Sequence, residues 1–432
     1  MKIEILPHLS KIGIKDTQLD VLARIAFPQT KKATKRPSLN LALALDQSGS
    51  MASNDAFGQA KQAALNLLAR LEPTDRIAVV LYNGFPRVVL PSCSVSEARG
   101  KLEMLLAPER AGGSTALHAG WLAAAGQAAP FVNEYDVSRV LLLSDGQATD
   151  GKRNPSELKE EAFQLLAAGI STATYGLGMH FNEELMTEMA AGGPARFAQD
   201  ADQLTPYFGA DFELLAQTVA PVVKLRVVAH AGSKQVAVAL LNDYALDTDG
   251  YWRLPAGVSG AESWAAIQLD VADIKKGSPV AIKAEWLLKD ISGKETRKSQ
   301  EIAVAHGKGK KDEVVVERCA EARAAKMAKE AAAAARMGNF DHASHTIGLM
   351  RGLSGSNAYI NSVSDNLDGL VRNRDATGLA KEALYCSTTM SNRVAEIGES
   401  ATTLSADRFG LRKAVQGLHD GLKNNEAAQE SK

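Results

Sequence analysis

The chain has 432 residues, 45% of them hydrophobic and 23% charged, a balance that suits a globular protein of two or three domains. Lys plus Arg number 49 and Asp plus Glu 50, giving a net charge of −1; that near balance argues against nucleic acid as the main ligand, which calls for a basic surplus. No stretch of about 18 apolar residues is present to span a membrane, and the N-terminal MKIEILPHLSKIGIKD lacks the apolar core of a signal peptide.

Cys93, Cys319 and Cys386 are sparse, odd in number and too widely spaced for a metal knuckle or a redox pair. That usage suits a reducing compartment and leads to the expectation of a cytoplasmic protein with no membrane partner.

In chain order, residues 2–6 and 18–27 read as strands. Residues 39–45 (LNLALAL) are apolar on both faces, as in a strand buried in a parallel sheet. Phe57, Ala60, Ala64, Leu68 and Leu71 recur at helical spacing, and Pro73 stops that helix. A strand at 77–82 follows. Leu117, Trp121, Ala124 and Ala128 then mark a helix closed by Pro130, before a strand at 140–143. A helix is expected at 156–168 and a strand at 170–175. Asn182 caps a helix that begins Glu183-Glu184, and 207–220 reads as a further helix. This alternation predicts a doubly wound, mostly parallel α/β sheet over 38–220.

Residues 221–306 change character. Strands at 222–230, 235–241, 263–271 and 279–288 are broken by Asn-Asp, Asp-Gly, Lys-Gly and Ser-Gly turns, which predicts an antiparallel β-sandwich-like domain. The strands of 1–37 are expected to join it, so that the α/β domain is inserted into the β-domain. The stretch 306–311 (HGKGKK) reads as an exposed linker. Residues 307–432 form an α-helical C-terminal region, with helices at 322–336, 341–351, 358–374 and 379–397 and a polar tail at 424–432. Residues 334–349 resemble one tetratricopeptide-like hairpin, too little for a repeat array.

Three loops carry chemistry. Asp46-Gln47-Ser48-Gly49-Ser50 directly follows a buried strand, at the sheet edge where open α/β folds bind ligands. Asp145 ends another strand and precedes Gly146. Thr115 follows Gly112-Gly113-Ser114 and precedes a helix. Together they offer two carboxylates and three hydroxyls, the oxygen donors that hard divalent cations take.

DQSGS, the Thr of GGSTAL and the Asp of LLLSDGQATD resemble the metal-ion-dependent adhesion site of von Willebrand factor A domains. All five positions match, and the resemblance covers roughly 39–216. It implies a Rossmann-like fold and a metal site at Asp46, Ser48, Ser50, Thr115 and Asp145. The hydroxyls would ligate directly, and the acidic residues often through water. It implies Mg²⁺ as the cation, with Mn²⁺ or Ca²⁺ meeting the same donors, and a protein partner that offers an Asp or Glu to the metal. It also implies coupling of the site to the last helix, 207–220. The flanking β-region and helical tail are similar in order to those of bacterial relatives and inter-alpha-trypsin-inhibitor-like chains.

The expected function is therefore a metal-dependent adaptor or scaffold in an intracellular assembly, and not an enzyme. Two alternatives stay open: a metal-assisted hydrolase, and an oligomerising structural subunit whose metal only stabilises the fold. No Gly-x-Ser-x-Gly elbow surrounds Ser48 or Ser50, and no phosphate loop occurs. His118 reads as a packing or rim residue. His342 and His345 read as a helix surface, Thr149 and Asp150 as loop residues near the metal rim, and Asp200 and Asp202 as loop residues. Trp252, Trp264 and Trp286 read as packing, and Gln47 has no assigned role.

Overall fold

The structure, a computed structural model, describes residues 1–13, 15–29, 36–178, 181–198, 204–274, 277–353, 355, 357–392 and 395–396. Two compact units emerge, one built from Met1–Arg36 with Thr218–Thr403, the other containing Pro37–Gln217. Asp200, Asp202 and the tail at 424–432 lie outside the described residues.

Strands β1 (Lys2–Pro7) and β2 (Gln18–Ala26) belong to the first unit. The second unit follows with β3 (Leu39–Asp46), α1 (Ala56–Arg70), β4 (Arg76–Tyr82), β5 (Pro86–Ser94), α2 (Val95–Ala98), α3 (Leu102–Leu106) and α4 (Leu117–Ala128). It continues through β6 (Val137–Ser144), α5 (Pro155–Ala167), β7 (Ile170–Leu177), α6 (Glu183–Met189), β8 (Gly192–Ala198) and α7 (Leu204–Ala216). The strands form one sheet in the order β5-β4-β3-β6-β7-β8, parallel throughout except for the antiparallel β4–β5 pair.

This sheet is doubly wound. Every residue of β3, β6 and β7 is buried, because successive side chains point to opposite faces and both faces are covered. Leu39, Leu41, Leu43 and Leu45 enter one core with Phe57 and Leu68 of α1 and Phe208 of α7. Ala42 and Ala44 enter the opposite core with Trp121 of α4, Leu158 of α5 and Met186 of α6. The start of β3 is fixed by the buried Asp75, whose Oδ1 accepts from Leu39 N at 2.9 Å and whose Oδ2 accepts from Glu72 N at 2.8 Å. Helix α4 sits close on β4: a Cβ on Gly120 would lie 2.4 Å from the Tyr82 ring.

In the first unit, β9 (Thr218–Ala220), β10 (Val222–Ala231), β11 (Lys234–Val236), β12 (Val238–Leu240) and β13 (Trp252–Leu254) precede β14 (Gly257–Val258), β15 (Ala261–Asp270), β16 (Val280–Lys289) and β17 (Glu295–Val304). Antiparallel sheets β1-β2-β15-β12 and β11-β10-β16-β17 share a core that includes Val21, Ile25 and Ile267 from one and Leu225, Ile282 and Trp286 from the other. The N-terminal strands thus join the sandwich, with the α/β unit inserted between β2 and β9 in the chain.

Helices α8 (Glu313–Arg336), α9 (Phe340–Leu353), α10 (Ala358–Arg372) and α11 (Ala376–Asn392) follow. Val315, Cys319 and Ala322 of α8 cover Leu22, Trp264 and Ala266, which is why β15 is buried on both faces. At the same contact Arg318 is 1% exposed, with Glu262 at 3.5 Å and Glu321 at 3.3 Å. Gly338, with φ of +71°, ends α8 and lets the chain reverse into α9.

Several expectations change. The helix expected at 207–220 starts earlier and ends at Ala216. The following β-branched Thr218-Val219 belongs to β9, which pairs with β14. Strands β5, β8 and β17 were not legible as strands. The stretch 306–311 is no free linker. Ile12 O accepts from Gly307 N at 2.9 Å, Lys310 O from Ser10 N at 3.0 Å, and Ser10 Oγ from Lys310 N at 2.9 Å. Among the described residues no helix is long and apolar enough to cross a membrane.

Because Gly120 leaves no room for a methyl against Tyr82, Gly120→Ala should destabilise the chain by about 1–3 kcal/mol through overpacking. Urea denaturation followed by tryptophan fluorescence reads this; an unchanged midpoint would mean that α4 can lift off β4 at no cost.

Candidate metal centre

The site grows out of the carboxyl end of β3. Asp46, its last residue, is fully buried, and its Cα is registered against Tyr82 of β4. Asp46 Oδ1 accepts from Ser48 N at 2.8 Å, which folds the loop back on the strand end. Oδ2 accepts from Ser144 Oγ at 2.6 Å, which ties β3 to the end of β6. Past Ser144 stands Asp145, whose Oδ1 accepts from Ser50 Oγ at 2.7 Å. Ser48 Oγ and Ser50 Oγ are themselves 3.1 Å apart. A closed chain of contacts therefore joins Asp46, Ser48, Ser50, Asp145 and Ser144.

Thr115 arrives from the third loop and is buried. Its N donates to Thr149 Oγ1 at 2.8 Å, and its carbonyl accepts from Thr149 N at 3.0 Å and Asp150 N at 3.2 Å. Gly146 shows how near it stands to the others: a Cβ there would lie 3.2 Å from Ser50 Oγ and 3.8 Å from Thr115 Oγ1. The structure thus brings all five expected residues together, and a glycine keeps the space between two of the hydroxyls open. Asp46, Ser48 and Thr115 form the buried floor, Asp145 is half-buried, and Ser50 is exposed, so the cradle opens on one side to solvent.

Electrostatics test whether a cation fits. Burial pushes the Asp46 carboxyl up from 3.8 to about 6, against the lowering effect of its bonds to Ser144 and Ser48, and the charge of Asp145 adds to the rise. A carboxylate so placed, beside another of the same sign, would be stabilised by a positive charge. Among the described residues no group of three or more His, Cys, Asp or Glu could hold a metal ion. A cation here would be held by hydroxyls together with two carboxylates, a hard-oxygen set that suits Mg²⁺, Mn²⁺ or Ca²⁺ better than softer metals.

Four residues act here that the sequence reading passed over or left without this role. Ser144 and Thr149 orient Asp46 and Thr115. Asn83, in the β4–β5 turn, donates from Nδ2 to Gly112 O at 3.0 Å and accepts Ala116 N on its carbonyl at 2.6 Å. Gln47 reaches the loop before Thr115. A serine directly before Asp145 was a visible signal; the other three lie too far from their partners in sequence to show. His118 pairs with Glu161 at 2.7 Å, and His342 with Glu330 at 2.9 Å on an exposed helix face.

The family model described as the von Willebrand factor type A domain matches residues 40–218, the segment that carries this cradle and its sheet. Residues 40–218 are a von Willebrand factor type A domain. Among curated relatives, this chain is 27% identical over 213 residues to YfbK of Escherichia coli, covering 49% of this chain and 36% of YfbK. It is 26% identical over 246 residues to mouse inter alpha-trypsin inhibitor heavy chain 4, covering 52% of this chain and 26% of that one. The chain thus spans about a third or less of the length of these relatives. A solved von Willebrand factor type A protein from Catenulispora acidiphila superposes with a TM-score of 0.68 at 18% identity, over 90% of this chain and 96% of that one. The shared fold therefore includes the flanking β- and helical regions as well as the type A domain.

The buried carboxylate gives a pH signature in chelator. With a folded value of about 6 against 3.8, folding favours the protonated form of Asp46. That contribution is fully present below the unfolded value and is lost as pH rises through the folded one, at a cost of up to about 3 kcal/mol. In EDTA, Asp46→Asn should lack this part of the pH dependence and be the more stable protein at neutral pH. Equal urea midpoints for the two proteins across that range would show that the carboxyl is not strained.

Proposed function

We propose that this chain is a metal-dependent protein-binding adaptor or scaffold. Its type A domain docks a partner's Asp or Glu carboxylate on a divalent cation, Mg²⁺ in the first instance. Type A domains commonly mediate metal-dependent protein interactions, and the reading here rests on one observation. Ser48, Ser50, Thr115, Asp46 and Asp145 converge on a cradle that is buried below and open above.

The chemistry follows from the donor set. A cation supplies concentrated positive charge at the open face. With Asp46 and Asp145 acting through hydrogen bonds or water, the direct ligands are the neutral hydroxyls of Ser48, Ser50 and Thr115, and the cation keeps its attraction for a further carboxylate. Asp46 is locked by Ser48 N and Ser144 Oγ, which keeps the floor rigid. Phe85, 66% exposed in the β4–β5 turn whose Asn83 carbonyl accepts from Ala116 N, offers an apolar side chain on a neighbouring loop. Binding at the centre of such a face is of the kind in which a few anchors carry most of the affinity.

A binding role fits the chemistry better than catalysis. The imidazole nearest the site in sequence, His118, is engaged by Glu161. The free cysteines Cys93, Cys319 and Cys386 support an intracellular setting.

The test is affinity purification with quantitative mass spectrometry in Mg²⁺. A specific partner should be lost at least tenfold in EDTA and equally in Asp46→Ala, and recovered when Mg²⁺ is returned to the wild type. A partner retained in full under both conditions would sink the reading.

A further inference from the structure

Gln47 stands between Asp46 and Ser48, yet it is only 8% exposed and its side-chain nitrogen is engaged twice. Its Nε2 donates to Glu109 Oε2 at 2.9 Å and to Arg110 O at 2.8 Å. Its main-chain carbonyl accepts from Gly112 N at 2.7 Å, and Gly49 N donates to the main-chain O of Gly113 at 3.0 Å. Four hydrogen bonds therefore stitch the loop that bears Ser48 and Ser50 to the loop that bears Thr115.

The second loop needs such a restraint. Between Arg110 and Thr115 run Ala111, Gly112, Gly113 and Ser114; nothing lies within 4 Å of the Cβ direction at Gly112, and Gly113 takes φ of +92°. Two consecutive glycines give the backbone more freedom to lose on ordering than any other pair. On its other side the loop is held by Asn83 Nδ2 at Gly112 O, and after Thr115 by Thr149. Glu109 is itself fixed: Arg87 pairs with the same Oε2. Burial raises its carboxyl, but the bonds from Arg87 and Gln47 outweigh that and hold it below the usual range.

We infer that Gln47 is a positioning residue for the metal centre: its side-chain amide sets the Thr115 loop against the Ser48–Ser50 loop, so that three hydroxyls face one cation before it arrives. The inference rests on the cation reading of the site, not on any partner. Its physical content is preorganisation. A loop already held in its liganding geometry gives up less entropy when the ion binds.

The test is Mn²⁺ binding to the full chain, read by electron paramagnetic resonance of the free ion, for wild type, Gln47→Leu, Thr115→Val and the double variant. Gln47→Leu should weaken Mn²⁺ binding about fivefold or more. Because Gln47 acts through Thr115, the same substitution should cost little in the Thr115→Val background. Hydrogen exchange at 111–116 should slow on Mn²⁺ addition in both the wild type and Gln47→Leu, but start from a faster rate in Gln47→Leu.

Unchanged Mn²⁺ affinity in Gln47→Leu would overturn the inference and leave the cation reading intact. Equal losses in both backgrounds would overturn it as well, since they would mean a general loosening of the unit. Should the wild type itself fail to bind Mn²⁺, the cation reading falls and this inference with it.

Discussion

A buried carboxylate at the end of a buried strand governs this molecule. Asp46 has no water to solvate it, and its two oxygens are met by one backbone N–H and one serine hydroxyl. Burying a charge on those terms is unfavourable, as its raised value of about 6 records. The parallel sheet explains how it comes to be there. Strand β3 is central, covered on both faces, and its last residue falls where the strand ends and the loops begin. The fold thus places an unfavourably buried carboxyl at the mouth of the sheet, which a bound cation would stabilise in its charged form.

The remaining donors are arranged around that charge by hydrogen bonds that cross long stretches of sequence. Ser144 joins Asp46 across 98 residues, Ser50 joins Asp145 across 95, and Thr149 joins Thr115 across 34. The first two links join the carboxyl ends of the neighbouring strands β3 and β6 and the loops that follow them, and the third joins the loop after β6 to the loop before α4. Rigid strands fix the roots of the loops and polar contacts fix their tips, which lets a site built on loops hold its geometry. With Ser50 exposed and Asp145 half-buried, the cradle is open to solvent on that side.

The sequence made the chemistry more legible than the architecture at its margins. Asp-x-Ser-x-Ser after a run with apolar residues on both faces is a local signal, and the same holds for a Ser-Asp-Gly ending the run at 140–143. Strand β5 was hidden because Pro86 opens it and Pro91 interrupts it, and an edge strand tolerates proline where a central one does not. Strand β8 starts with Gly-Gly-Pro, and β17 is an edge strand with charged or polar side chains on most positions, so neither shows an apolar alternation. The stretch 306–311 is largely exposed, as its composition suggests, but it is tied down rather than free. Its glycines and lysines are those of a loop, but its backbone bonds run to residues 10–12, some 300 positions away, and composition carries no trace of such a pairing.

Gln47 illustrates the same limit inside the site. At the variable position of the first loop it looks interchangeable, because its role depends on where Glu109 and Arg110 arrive in space. A glutamine suits that geometry: its amide offers two hydrogens, one for a carboxylate and one for a main-chain carbonyl, without adding charge near the ion. An aspartate or glutamate would set a third negative group beside Asp46 and Asp145, and a lysine would compete with the cation for them. On the proposed reading, neutral hydroxyl ligands and a neutral donor beside them would together leave intact the cation's attraction for a carboxylate from outside.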